Sequence, residues 1–83
     1  MNRDWVLHNL LEAQEELGKT IQGITDDPEY DYGAFLVALQ NVYQHLNTAW
    51  NSRDAAPEHV ASHSLEEFIQ WSQFPGDLPM LGS

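Results

Sequence analysis

The chain has 83 residues, 13 acidic against 3 basic side chains, a formal net charge of −10 and no cysteine. That size allows a single domain, 1–83, near the lower limit of chains that fold alone, and the missing cysteines exclude disulfide staples and thiolate metal or catalytic sites. Such acidity repels phosphate backbones and anionic lipid heads, so neither a nucleic acid nor a membrane is an expected partner. The first residues show no signal-like segment, and a cytoplasmic location is the expectation.

The first element in the chain is a helix over about 4–23. Asp4 is a capping residue, and Val6, Leu7, Leu10, Leu11, Ala13, Leu17, Ile21 and Ile24 recur at the three-and-four spacing of one helical stripe. Glu12, Glu15 and Glu16 fill the other side, with Glu15 placed four residues before Lys19. Gly18 and Gly23 weaken its second half, and Gly23 lies near a plausible end.

Asp27 followed by Pro28 reads as a second helix start, a cap and then a proline at the first position, where the missing amide is harmless. Asp26, Asp27, Glu29 and Asp31 form an acidic cluster without the spacing or central glycine of a calcium loop. Their expected role is to complement the helix dipole. The second helix is predicted over about 28–52. From Tyr32 through Ser52 it carries no formal charge. Tyr32, Phe35, Leu36, Leu39, Val42, Tyr43, Leu46, Ala49 and Trp50 make its apolar stripe, while amides and hydroxyls interrupt it too densely for a membrane span. Leu10, Leu17, Leu39 and Leu46 are the expected core.

Pro57 suits a short helical turn over 57–62. Ser64 and Glu67 form a capping box ahead of a third helix over about 64–73, with Leu65, Phe68, Ile69 and Trp71 as its inward candidates and Pro75 as its stop. The tail over 75–83 has no period and is expected to be extended, with Phe74, Leu78, Met80 and Leu81 packed back or offered to a partner. The predicted fold is all-α, a small antiparallel three-helix assembly of two long helices crossed by a short third.

Catalytic chemistry finds little purchase. Ser62 and Ser64 neighbour His59 and His63, but no nucleophile elbow, phosphate loop or cationic clamp accompanies them, and no enzyme is expected. His59, His63 and Glu67 would share a face of a continuous helix, and His8 with Glu12 repeats the spacing. Imidazole and carboxylate suit zinc or nickel, but Pro57 and Ser64 break that helix, so no metal or other cofactor is predicted. Trp5, Trp50 and Trp71, one per helix, are expected to plug the ends of the core and pair their indole N–H groups with carbonyls.

What remains is protein–protein contact, as a homodimer or as an adaptor for one partner. With the apolar stripe of the second helix on the first, the uncharged polar band of Val37, Ala38, Asn41, Gln44, His45 and Thr48 is the expected contact surface, because interface centres exclude Lys, Glu and Asp. Two alternatives use other features: a ligand- or metal-binding helical module built on the histidines and tryptophans, and an acidic inhibitor of a basic nucleic-acid-binding protein.

Overall fold

Asn2, rather than Asp4, opens the first helix. In the computed structural model, which describes residues 1–79 and 81, its side chain accepts from the Trp5 amide at 3.1 Å, and its own amide groups reach Arg53 O at 2.6 Å and Ala55 O at 2.8 Å. A cap that also ties the chain start to the end of the second helix does two jobs, and Asp4 is left exposed in the first turn. Helix α1 then runs over Arg3–Asp26, beyond the expected stop at Gly23.

The turn that follows begins the second helix later than expected. Asp27 closes α1, its amide bonding Gly23 O at 2.9 Å, while its carboxylate accepts from the Glu29 amide at 2.9 Å. Pro28 sits in that turn, and the cap of α2 (Tyr32–Asn51) is Asp31, which accepts from the Ala34 amide at 2.8 Å. A start at Pro28 would leave only Asp27 to reverse an antiparallel pair, and helix–helix connections need at least about two residues. The turn is also packed: the Tyr30 ring lies so close to Gly23 that a Cβ there would meet it at 2.9 Å.

Two short helices complete the chain, α3 over Pro57–Ser62 and α4 over Leu65–Trp71. The first begins at Pro57 with no side-chain cap, and the second carries the predicted capping box, with the Glu67 amide on Ser64 Oγ at 3.1 Å. The described residues are helical or irregular with no strand, and the chain is a hairpin of two long helices with the short ones laid on it. The tail residues Met80, Gly82 and Ser83 lie outside the described residues, so the expectation for Met80 does too.

The hairpin closes on small side chains. Ala13, Ala38, Val42 and Ala49 are its buried apolar residues, joined by Asn9, Thr20, Asn47, Thr48 and Ser52. Leu10, Leu17 and Leu46, expected in the core, are 43%, 41% and 40% exposed, and Leu39 is half-buried. The reason is geometric. Helices that meet over alanine, serine and threonine approach closely, and larger side chains are pushed to the flanks. Leu65, Phe68 and Ile69 likewise stay exposed on α4, because that helix docks through its C-terminal carbonyls and Trp71.

The hydroxyls and amides in this seam are all satisfied. Asn9 donates to Trp5 O at 3.1 Å and its Oδ1 meets His45 Nδ1 at 3.1 Å; Thr20 donates to Glu16 O at 2.8 Å. Ser52 donates to Thr48 O and accepts the Trp5 indole at 2.8 Å. No buried side-chain polar atom lacks a partner among the described residues. Buried amides cost free energy unless bonded, so these pairings fix the register of α1 on α2.

The molecule is a slab, 44 × 32 × 22 Å, with a radius of gyration of 14.6 Å. A compact chain of this length has about 12 Å.

Candidate contact surface

Each long helix carries most of its large apolar residues to one side of the small-residue seam, with Leu11 on α1 and Val37 on α2 lying off that side. On α1 these are Val6, Leu7, Leu10, Leu17, Ile21 and Ile24; on α2 they are Phe35, Leu36, Leu39, Tyr43, Leu46 and Trp50. At 100° per residue, both sets lie clockwise of their seam when viewed from the helix N-terminus, and in an antiparallel pair that is the same side of the slab. A groove lined by Val6 and Leu10 from α1 and Leu46, Ala49 and Trp50 from α2 shows the two sets meeting. Val6, Leu39 and Trp50 are half-buried, and the other nine run from 38% exposed at Phe35 to 64% at Ile21.

Neither long helix places an acidic residue on this face, and Asp77 reaches its edge from the tail, at Trp50. Glu12, Glu15 and Glu16 lie on the other side of α1, and α2 has none within the helix. The cations Arg3 and Arg53 lie at the open end of the hairpin, and Asp26, Asp27, Glu29 and Asp31 at its turn. Arg53 is held there: its guanidinium lies 3.9 Å over the Trp50 ring and 3.6 Å from Asp77, whose carboxylate accepts the Trp50 indole at 2.9 Å. That hydrogen bond first, and then the Arg53 charge, lower the Asp77 pKa below its usual value.

The opposite side is covered. Asn47 donates to Ser72 O at 2.9 Å, and Asn51 to Trp71 O at 2.9 Å and Gln73 O at 2.7 Å, satisfying carbonyls at the C-terminus of α4. Near α3, Trp5 and His8 share a groove with Pro57, Val60 and Ala61. Trp5 stacks on His8 at 5.6 Å, and Trp71 lies 6.5 Å from Trp5, 4.9 Å from His63 and 5.6 Å from His59. The indole partners are thus Ser52 and Asp77, not the carbonyls expected, and two of the three tryptophans share one cluster.

The polar band predicted as a contact surface is scattered by this arrangement. Ala38 and Thr48 are buried at 6% and 2% exposure; His45 is half-buried on Asn9, and Gln44 donates to Thr48 Oγ1 at 3.0 Å. Only Val37 and Asn41 are exposed. Part of the uncharged polar character of α2 has an internal cause: Asn47 and Asn51 bond the end of α4, and Thr48 and His45 lie in the seam.

The histidines do not assemble a metal centre. Helix α3 ends at Ser62 and α4 begins at Leu65, so His63 bonds Val60 O beside the bend while His59 bonds Glu67 across it. The His59 bond is the main cause holding Glu67 below the usual carboxylate range. Among the described residues, no group of three or more His, Cys, Asp or Glu side chains is placed to hold a metal ion, and no helix is long and apolar enough to cross a membrane.

Comparison with protein-family models, with known proteins and with solved structures returns no match to this chain. Its class rests on its own geometry: an acidic helical hairpin, clad by short helices on one side and, among the described residues, largely open and apolar on the other.

Proposed function

We propose that the protein acts through protein–protein contact, and that the contact is made by the bare side of the hairpin rather than by the polar band of α2. The observation behind this reading is the exposed apolar face itself. Monomeric proteins rarely expose an apolar patch beyond a few hundred Å², and larger patches mark interaction surfaces. Nine exposed large side chains from two helices, each leaving on the order of 80 Å² open, amount to roughly 700 Å², with Val6, Leu39 and Trp50 half-buried among them. A standard interface takes about 800 Å² from each partner. Charged residues are missing from its centre and aromatic residues are present, the composition that interface cores favour.

The test is site-specific photo-crosslinking in the protein's own cells. A photoreactive phenylalanine analogue at Leu46 should give a crosslinked protein band, whether at twice the chain's mass or at another mass, and the same group at Glu15 should give none. Absence of any band from Leu46, or equal bands from both sites, would overturn the reading.

A further inference from the structure

We infer that the occupant of the apolar face is a second copy of this chain, packed as a two-fold four-helix bundle in which α1 lies antiparallel on α1, with Gln14 of each copy at the axis. This rests on the contact reading above and names its partner.

Area is the first support. The chain exposes 6188 Å², whereas a folded monomer of 9.5 kDa exposes about 5,000 Å². The excess, on the order of 1,000 Å², is what one side of a standard interface removes. The 22 Å thickness supplies the second. Helices have a diameter of about 10–12 Å, so this slab is about two helices deep only where α3 and α4 lie, and the long helices are bare elsewhere. A second slab laid face to face supplies the missing layer.

Charge permits a like partner and bears on its orientation. A copy of a chain with net charge −10 is a poor partner unless the middle of the contact is free of acids; α1 and α2 place none on this face, and Asp77 lies at its edge beside Arg53. Two arrangements keep neighbouring helices antiparallel. With the axis along the helices, the two acidic turns of residues 26–31 would lie side by side, as would the two arginine ends. With the axis across the helices, each acidic turn lies beside the partner copy's Arg3 and Arg53. The second keeps the two acidic turns apart and sets each near two arginines, which share their end with Asp4, Asp54 and Asp77.

Residue spacing fits that choice. Leu7, Leu10, Gln14, Leu17 and Ile21 alternate three- and four-residue steps, the coiled-coil seam spacing, and Gln14 lies near the midpoint of the helix Arg3–Asp26. Antiparallel pairing about Gln14 sets Leu10 of one copy against Leu17 of the other, and Leu7 against Ile21. On α2 the same axis falls between Leu39 and Tyr43. The one uncharged polar side chain in the row thus meets itself, and a primary amide both donates and accepts, so two of them form a closed pair across a two-fold. A single polar position in an apolar seam fixes register and copy number.

Because the chain has no cysteine, single replacements test the geometry directly. Sedimentation equilibrium of the parent should give twice the chain mass, and Gln14→Glu, which sets two carboxylates together at the axis, should shift it to the monomer. Gln14→Cys should form a disulfide-linked dimer on mild oxidation while Glu15→Cys does not; under reducing conditions Gln14→Cys should keep the parent's helix content, so the result does not depend on whether Gln14→Glu folds. A parent that stays monomeric at high concentration overturns the second copy, while a Leu46 crosslink to another protein would still uphold the contact surface. A dimer in which Gln14→Cys fails to link overturns the antiparallel axis.

Discussion

Gly18 and Gly23 both lie inside α1, yet an added methyl group meets different surroundings at each. Beside Gly18 there is nothing within 4 Å, whereas at Gly23 the Tyr30 ring is already at 2.9 and 3.0 Å. Glycine in a helix interior costs about 1 kcal/mol relative to alanine. Gly18→Ala should therefore stabilise the protein by about 0.5–1 kcal/mol in urea unfolding. Gly23→Ala gains the same propensity but displaces the half-buried Tyr30 ring from the turn, and should come out about 1–2 kcal/mol below Gly18→Ala. Equal stability of the two variants would mean that Tyr30 does not hold the turn.

Among the elements, the caps separate what the sequence announces from what the fold selects. Asp27 before Pro28 and Asp31 before an apolar run are both good start signals, but only Asp31 leaves enough chain to reverse direction. Asp31→Ala should cost about 1 kcal/mol and lower helix content at the start of α2. Asp27→Ala, which loses an exposed turn contact, should cost less than half of that. The reverse order in thermal melts would put the start of α2 at Pro28. The capping box at Ser64 and the proline at 57 were legible because both signals are local and no competing start lies nearby. The two long helices were legible from period, and the short ones from their start signals. Which side of each helix would be buried was not. A stripe of leucines and a row of Ala13, Ala38, Val42 and Ala49 are adjacent on their helices, and hydrophobicity favours the leucines for the core. Close approach favours the alanines instead, and that preference depends on pairing Asn9 with His45 and Trp5 with Ser52 across the hairpin, contacts between residues far apart in the chain. Ala38 and Thr48, expected at a contact surface, fall in the seam for the same reason, while Val37 and Asn41 stay exposed.

At the scale of the whole molecule, a buried apolar core of three alanines and a valine is thin support for an 83-residue fold, and under the proposed contact the burial of the leucine face contributes much of the stability. In the proposed dimer, unfolding and dissociation are then coupled, and the melting temperature should rise with protein concentration. Salt gives a sharper expectation. Each copy carries a net charge of −10, placed away from the contact, on slabs 22 Å thick. At about 0.01 M salt the screening length is about 30 Å, longer than a slab, so the outer acids of one copy repel those of the other. At about 0.1 M it falls to about 10 Å and most of that repulsion is gone. An interface made by apolar side chains should tighten over this range, whereas one made by ion pairs loosens. The dissociation constant from sedimentation should fall as salt is raised from about 0.01 to 0.1 M, and the melting temperature at fixed concentration should rise with it. A dissociation constant that grows with salt would assign the association to charge pairs at the rim, and the apolar face would no longer account for it.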